Sequence, residues 1–277
     1  MLLSSLVGKT AIVTGGGTGI GKGITELLVQ KGCKVAIASR SLQKVETAAQ
    51  EFNEKYKESE GRVIPYQCDI RKNEQIEAML DSFITSHGNV DYLVNNGGGQ
   101  FVMPAEMISP NGWDAVVNTN LRGTFFLTQS VFKQCMKENG GSIVNILMEL
   151  HGGWPGFAHS VSARAGVEAL AKTLAVEWGE YGISVNNVIP GIIYSDTAVQ
   201  NYGPFGPKMF KEAMKQVPQG RLGTPEDVAV AVVFMLTAPY ITGHSLVVDG
   251  GSSLGTLAWW NVVHGMMTGK VKIDDLD

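Results

Sequence analysis

Short apolar runs alternate with longer helical segments along almost the whole of this chain. The runs comprise residues 9–14, 34–39, 62–67, 91–95, 142–146, 184–189 and 245–248, and the helical segments residues 21–30, 41–56, 73–86, 114–138, 160–181 and 224–236. Strands that are apolar on both faces are typical of parallel sheets, whose neighbouring strands need a crossover helix. The order predicts an α/β fold with a doubly wound, parallel, seven-stranded sheet and helices on both faces.

The length of the chain fits one such sheet. With 277 residues, of which 44% are hydrophobic and 17% charged, the chain buries a full core as a single domain over residues 1–277. Residues 194–215 are rich in glycine, proline and aromatic side chains, which predicts a mobile substrate lid between the last two strands. A C-terminal tail begins at about residue 252.

Charge and cysteine usage exclude several classes of function. A formal net charge of -4, with no basic stripe, argues against a nucleic-acid partner. No apolar run reaches membrane-spanning length, and the first residues lack the features of a signal peptide, so we expect a cytoplasmic protein without a membrane span. Cys33, Cys68 and Cys135 lie far apart without metal-ligand spacing, which predicts reduced thiols and no metal site.

A glycine-rich turn follows the first predicted strand and opens the first predicted helix. Residues 14–21 read TGGGTGIG. Glycine lets the backbone turn sharply and approach a pyrophosphate, whose charge is then met by N–H groups at the helix N-terminus. A tight turn without a ligand is the alternative for such a cluster, but the flanking strand and helix favour a dinucleotide. The predicted binding residues are Gly15, Gly17, Thr18, Gly19, Ile20 and Gly21.

The end of the second strand indicates which dinucleotide binds. An NAD enzyme places an acidic residue there, on the ribose 2′-hydroxyl, whereas a cation accommodates a 2′-phosphate. This chain has Ser39 and Arg40 at that point. We therefore predict NADP(H), with both residues contacting the phosphate. The alternative is that Arg40 only solvates the start of the next helix.

Further segments follow in the order expected of a known family. Cys68, Asp69 and Ile70 end the third strand, residues 95–98 read NNGG after the fourth, and residues 190–193 read PGII after the sixth. With TGGGTGIG, these segments resemble the short-chain dehydrogenase/reductase family over most of the chain. The resemblance implies a Rossmann-type fold and a nicotinamide cofactor. It adds these cofactor-binding residues: Cys68, Asp69, Ile70, Asn96, Gly97, Gly98, Arg164, Pro190, Gly191, Ile193 and Thr197.

The chain departs from this family at the catalytic positions. Family members usually carry a Ser after the fifth strand, a Tyr and a Lys four residues apart on the next helix, and an Asn on the preceding helix. Here Met148, or Leu147 if the alignment gap falls otherwise, stands at the Ser position. Ser160 and Arg164 replace the Tyr and the Lys, and Asn120 keeps the Asn. Three of the four positions have therefore changed.

These substitutions disfavour carbonyl reduction. A ketone becomes an alkoxide that needs a proton, whereas Ser160 is a poor acid and Arg164 is effectively never deprotonated. A carbon–carbon double bond conjugated to a thioester instead places charge on the thioester oxygen, which needs only hydrogen-bond donors. Ser160, Asn120 and the backbone of residues 98–100 are candidate donors, and Arg164 retains a positive charge beside the ribose. Tyr194 is the next candidate proton donor.

Other polar residues near the predicted cleft are weaker candidates for catalysis, because structural roles explain them equally well. His151 and His159 are candidates for a proton relay, although loop histidines more often cap or pack. Glu149 is a candidate general acid if it is buried. Glu168 stands where some relatives have a second Tyr, and its spacing to Lys172 predicts a helix salt bridge.

The closest resemblance lies within one branch of the family. Residues 95–101, 159–167 and 193–203 resemble the peroxisomal trans-2-enoyl-CoA reductases, which are related to the 2,4-dienoyl-CoA reductases. This resemblance implies NADPH-dependent reduction of a trans-2-enoyl thioester. It also implies a homodimer or homotetramer formed through the two long helices, residues 114–138 and 160–181. Residues 274–277 do not form a peroxisomal signal.

The sequence is also compatible with two other functions. One is an atypical carbonyl reductase that acts on an activated ketone without the Tyr. The other is a catalytically silent NADP(H)-binding scaffold, which the three altered positions favour and the otherwise intact pocket disfavours.

Overall fold

A computed structural model describes residues 5–150, 152–201, 203 and 206–255 of the chain. Its seven strands form one parallel sheet in the order β3-β2-β1-β4-β5-β6-β7. The strands are β1 (Thr10–Thr14), β2 (Lys34–Ser39), β3 (Arg62–Gln67), β4 (Tyr92–Asn95), β5 (Gly141–Ile146), β6 (Ile183–Pro190) and β7 (Ser245–Val248). The predicted doubly wound, Rossmann-type sheet is confirmed, with strand bounds within two residues of those expected.

Ten α-helices connect and cover the strands within the described residues. They are α1 (Gly19–Gln30), α2 (Leu42–Lys55), α3 (Asn73–His87), α4 (Pro110–Val117), α5 (Thr124–Val131), α6 (Lys137–Asn139), α7 (Ala158–Glu177), α8 (Asp196–Asn201), α9 (Gly206–Met214) and α10 (Pro225–Thr237). Two π-helical stretches, Asn118–Gly123 and Phe132–Met136, join α4, α5 and α6 into one continuous helix.

This continuous helix begins four residues before the predicted position, at Pro110. The Ser109 hydroxyl accepts a hydrogen bond of 3.1 Å from the Gly112 N–H, so Ser109 is the N-cap residue. Proline suits the first helical position, because its missing N–H has no partner there anyway. The Ser-Pro pair therefore marks the start of the helix, which the spacing of the apolar residues did not reveal.

The core lies on both faces of the sheet because successive strand residues point to opposite sides. In β1, Ile12 packs with one apolar cluster and Val13 with the other, and both are fully buried. Helices α1, α2 and α10 cover the face of Val13, and α3, α5 and α7 cover the face of Ile12. The buried helix residues include Ile24, Leu28, Val45, Phe52, Val228 and Val232 on the first face, and Ile76, Leu80, Phe83, Leu127, Val131 and Ala171 on the second.

A chain of buried polar side chains ties the strands beside the site together. The Asn95 side-chain N–H₂ donates to the Asn145 oxygen at 2.8 Å, and Asn145 in turn donates to Asn187 at 3.0 Å. Asn187 donates to the Ser245 hydroxyl at 3.1 Å, which donates to Glu168 at 2.9 Å. A one-residue slip of any strand would leave buried amides unpaired, so the chain fixes the register of β4 to β7.

The predicted salt bridge on α7 is confirmed, with 3.4 Å between Lys172 Nζ and Glu168 Oε1. All three cysteines are buried and unpaired. Burial raises the pKa of Cys68 to about 11, so this thiol stays protonated at neutral pH. Among the helices of the described residues, none has the length and apolar character that a membrane span requires.

A capping box at the start of α10 supplies a prediction about stability. The Thr224 N–H donates to the Asp227 carboxylate at 2.8 Å, and the Asp227 N–H donates to the Thr224 hydroxyl at 3.3 Å. Hydrogen bonds from the Arg221 guanidinium lower the pKa of Asp227 to about 2. Asp227→Asn should therefore lower the free energy of unfolding by about 1 kcal/mol at neutral pH, as lost caps usually do.

The sign of the pH dependence follows from the lowered pKa. The stabilisation is present above the ordinary carboxyl pKa of 3.8 and is lost as the pH falls through that value towards 2. Urea unfolding of wild type and Asp227→Asn across this range measures the difference. Glu226→Gln removes a carboxylate from the same turn and is the control. Equal unfolding midpoints for wild type and Asp227→Asn at neutral pH would contradict the prediction.

Candidate active site

The glycine turn between β1 and α1 has a backbone that other residues do not adopt readily. Gly15 and Gly19 have φ angles of 65° and 52°, in the left-handed region that favours glycine. At Gly21 a side chain is excluded by space, because its Cβ would overlap the Gly15 carbonyl oxygen and lie 2.5 Å from Asn96 Nδ2. The turn thus lets the backbone approach a ligand closely, and the first N–H groups of a helix such as α1 lack intrahelical partners, which suits a phosphate.

A groove of about 630 Å³ runs from this turn across the carboxyl ends of β1 to β4. It lies where the strand order reverses, between β1 and β4, which is where doubly wound sheets bind ligands. The groove is lined by these predicted cofactor-binding residues: Gly15, Gly17, Thr18, Ser39, Arg40, Cys68, Asp69, Ile70, Gly97, Gly98 and Thr197. An adjoining cavity is lined by the predicted residues Ile20, Asn96, Pro190, Gly191, Ile193 and Arg164.

The far end of the groove carries two cations beside the end of β2. Arg40 and Lys44 both line it. Lys44 was not among the residues expected from the sequence. The Asp69 carboxylate also lines the groove, and its hydrogen bonds with the Arg71 guanidinium, the shortest 2.5 Å, lower the pKa of Asp69. The residues at this end thus fit the adenosine end of a nicotinamide dinucleotide.

The loop after β4 is held against the continuous helix by one buried amide. Asn120 lies in the first π-helical stretch and is 5% exposed. Its side-chain oxygen accepts from the Gly99 N–H at 3.2 Å, and its N–H₂ donates to the Gly99 carbonyl and the Val116 carbonyl, both at 2.8 Å. Asn120 therefore orders the loop that ends at Gln100.

Ser160, Arg164 and Gln100 form a hydrogen-bonded cluster. Arg164 Nη1 donates to the Ser160 hydroxyl, which donates to Gln100 Oε1 at 2.6 Å. Arg164 Nη1 also lies 3.5 Å from Gln100 Oε1. Because arginine has only donors, the Gln100 atom that faces it is the oxygen, and the Gln100 N–H₂ points elsewhere. Ser160 is fully buried, whereas Gln100 and Arg164 line the cavity.

The structure assigns one of the two alternatives for the altered Ser position. Met148 Sδ lies 3.6 Å from the Ser160 hydroxyl, so Met148 is the residue that meets this helix position. Leu147 and Met148 both line the cavity. A thioether and an alkyl chain thus replace the hydroxyl that would assist a catalytic Tyr.

The cavity beside the cluster has a volume of about 320 Å³ and mainly apolar walls. Helices α8 and α9 lie within the predicted lid, and α9 contributes Phe210 to the wall. The apolar lining includes Ile146, Leu147, Met148, Trp154, Phe157, Ile192, Met209 and Phe210. Among the described residues, only Glu149 and Arg164 bring charged side chains to the lining. Such a cavity suits an acyl chain whose polar end meets the cluster.

Three further residues named from the sequence lie as follows. Tyr194 is 48% exposed, and its ring packs against Phe210 at a centroid distance of 5.6 Å rather than lining the cavity. His159 is fully buried, and burial lowers its pKa, so the imidazole is neutral. It accepts the Ser160 N–H and packs edge-on to Phe101. His151 lies outside the described residues.

Comparison with known proteins agrees with this geometry. Residues 15–253 match the family model described as "Enoyl-(Acyl carrier protein) reductase". A probable 2,4-dienoyl-CoA reductase of Bacillus subtilis is 36% identical over 251 residues, which cover 89% of this chain and 97% of the relative. The peroxisomal 2,4-dienoyl-CoA reductase of Danio rerio is 37% identical, with 89% and 82% covered. The solved structure of a citronellol catabolism dehydrogenase from Pseudomonas aeruginosa has a TM-score of 0.78 and 37% identity, with 91% and 96% covered.

Proposed function

Because this chain belongs to the short-chain dehydrogenase/reductase family, whose members use a nicotinamide cofactor, we propose that it catalyses NADPH-dependent reduction of a trans-2-enoyl thioester. Its relatives make it an oxidoreductase of the enoyl-CoA reductase type. The observation that carries the finer proposal is the cluster of Gln100, Ser160 and Arg164, which faces an apolar cavity and supplies donors without a Tyr.

The cluster favours a reaction that collects negative charge on a thioester oxygen. When bound, NADPH supplies the hydride for the substrate β-carbon. The Gln100 N–H₂ donates to the oxygen on which charge develops. Ser160 and Arg164 hold Gln100 Oε1 and polarise its amide, which makes the amide N–H a stronger donor. Stabilising developing charge with fixed donors is commonly the largest single contribution to catalysis.

The same cluster serves carbonyl reduction poorly. The proton on a ketone-derived oxygen has to come from a group that is acidic near neutral pH. Arg164 keeps its proton, and the Ser160 proton is shared with Gln100. In the cavity lining, Met148 replaces the family's Ser and supplies no proton. An enolate needs no proton on oxygen, so the cluster supports reduction of the double bond.

The assay for this proposal uses wild-type protein, NADPH and trans-2-enoyl-CoAs of several chain lengths. Loss of absorbance at the nicotinamide band, together with a product heavier by two hydrogens in mass spectrometry, is the expected result. If NADPH binds but is not oxidised in the presence of any of the enoyl-CoAs, the proposal is contradicted and a catalytically silent scaffold is favoured.

The preference for NADPH over NADH gives a sharper prediction. Arg40 lines the groove at the end of β2, which is where enzymes of this fold that use NADP place a cation for the ribose 2′-phosphate. Arg40→Asp should weaken NADPH binding at least about tenfold, since a charge-assisted hydrogen bond contributes about 1.5–3 kcal/mol. NADH binding should change little. Titration of both cofactors by fluorescence measures the two dissociation constants.

The matched control is Lys34→Asp, which makes the same charge change at the opposite end of the same strand. It should leave both dissociation constants unchanged. If Arg40→Asp weakens NADPH and NADH equally, Arg40 does not contact the phosphate. If Lys34→Asp weakens NADPH binding as much as Arg40→Asp does, the effect comes from the overall charge of the protein and not from a contact with the phosphate.

The assembly state stays a prediction of the sequence. A homodimer or homotetramer through the long helix of residues 110–139 and α7 agrees with the exposure of Val176, which is 85% exposed on α7. Cytoplasmic location is likewise an expectation from the sequence.

A further inference from the structure

A buried glutamate side chain lines the proposed substrate cavity without a role in the reaction described so far. Glu149 follows Met148 directly, lies just beyond the end of β5 and is 7% exposed. The Trp154 indole N–H donates to Glu149 Oε2 at 2.7 Å, which fixes the direction of the carboxyl group. Both residues line the cavity that also receives Gln100 and Arg164. A carboxyl on the wall of a mainly apolar cavity is one of the few polar groups there that meet a bound ligand.

We propose that Glu149 delivers the proton that the substrate α-carbon acquires during reduction. This inference rests on the proposed enoyl thioester reductase activity and names the proton source that the activity requires. It makes Glu149 a catalytic residue on the cavity wall, and Trp154 a positioning residue that acts through it.

The other candidates in the described part of the cavity do not suit this transfer. Arg164 is effectively never deprotonated, and its N–H groups already hold Ser160 and Gln100. His159 is fully buried, neutral and absent from the lining. Tyr194 packs on Phe210 outside the lining. Glu149 is thus the one carboxyl side chain among the described residues of the cavity lining.

Hydride addition at the β-carbon shifts the double-bond electron pair towards the thioester and leaves an enolate held by the Gln100 amide. The enolate α-carbon then takes the proton from the Glu149 carboxyl, so that a C–H bond forms and an O–H bond breaks. Glu149 becomes a carboxylate, to which the Trp154 N–H still donates, and solvent returns the proton before the next cycle.

The decisive variant is Glu149→Gln, which keeps the side-chain size and an oxygen acceptor for Trp154 but cannot donate a carboxyl proton. We expect kcat on a trans-2-enoyl-CoA to fall about 10²-fold, as the loss of a general acid usually costs. KM for the thioester and the dissociation constant of NADPH should stay within about twofold, because ground-state binding is unchanged. Glu168→Gln removes a carboxylate from α7, outside the cavity, and should retain wild-type kcat.

A second readout does not depend on the size of the rate loss. In D₂O, wild type should place deuterium at the α-carbon in a single configuration, because Glu149 delivers it from one face. In Glu149→Gln, water delivers it, and NMR of the product should show both configurations. Glu149→Ala should regain turnover when formate is added as a small carboxylic acid, and Glu149→Asp should retain an intermediate rate.

The outcomes separate this inference from the proposed function. If wild type reduces enoyl thioesters and Glu149→Gln does so with the same kcat and a single α configuration, Glu149 is not the donor. A rise in KM at unchanged kcat would also overturn the inference and leave Glu149 a binding residue. If wild type reduces no enoyl thioester, the proposed function fails first. Should Glu149→Gln not fold, formate rescue of Glu149→Ala and the rate of Glu149→Asp decide the question.

Discussion

Arg164→Ala should lower kcat/KM for a trans-2-enoyl-CoA by about 10²- to 10³-fold, or about 2.7–4 kcal/mol of barrier, which is typical for the loss of a fixed donor at a developing oxyanion. The guanidinium donates to Ser160 and lies 3.5 Å from Gln100 Oε1. Its removal withdraws the positive charge from the site and takes away one of the two groups that hold Gln100 Oε1. Steady-state kinetics with NADPH measures the loss.

Two comparisons show whether the effect belongs to the cluster. Ser160→Ala should cost less than Arg164→Ala, because it leaves the positive charge of the guanidinium in the site. Lys172→Ala, on the exposed side of the same helix, should leave kcat/KM unchanged, since Lys172 is paired only with Glu168 among its described contacts. If Arg164→Ala and Ser160→Ala both retain wild-type turnover, the chemistry lies elsewhere in the cleft.

Gly98→Ala should reduce kcat/KM by about 10²-fold while its neighbour Gly99→Ala remains close to wild type. A Cβ on Gly98 would overlap the Asn120 side-chain oxygen and lie 3.1 Å from Arg164 Nη2. Asn120 has little room to yield, because three hydrogen bonds fix its amide. The added methyl must therefore displace Arg164 or the loop that carries Gln100. Displacements of about 1 Å at a reacting centre cost about this much in rate.

Gly99→Ala is a closely matched control. A Cβ at Gly99 meets no atom within 4 Å, and its backbone φ does not require glycine. The two variants add the same methyl group to adjacent residues of one loop, so any difference reports the contacts of Gly98. Kinetics and thermal unfolding of both variants provide the comparison. Equal rates for Gly98→Ala and Gly99→Ala would contradict the packing described around Asn120 and Arg164.

The fold was readily predicted because two independent patterns agree in this sequence. Apolar runs such as residues 34–39 are mostly buried on both faces, as is typical of parallel strands. The segments between the runs have the length of crossover helices. The main error was the start of the helix at Pro110, where the capping residue Ser109 carries the signal and apolar periodicity does not.

The site was predicted less completely because several of its contacts join residues that are far apart in the sequence. Ser160 and Arg164 were identified because they stand where the family that the sequence resembles has its Tyr and Lys. Their shared partner Gln100 is sixty residues from Ser160 and follows a glycine run that gives no periodic signal. Lys44 at the far end of the groove reads as an ordinary helix surface residue. Glu149 gained significance only when its burial and its bond to Trp154 were known. Burial of a polar side chain is a property of the fold, and a single sequence does not encode it locally.

The most direct test of the account compares two substrates of equal chain length with wild-type protein and NADPH. One is a trans-2-enoyl-CoA and the other the corresponding 3-oxoacyl-CoA. The account predicts that kcat/KM for the enoyl thioester exceeds that for the ketone by about 10²-fold or more, since a single general acid contributes about 10²- to 10⁴-fold and the ketone lacks one here. Efficient reduction of the 3-oxoacyl-CoA with no turnover of the enoyl-CoA would contradict it.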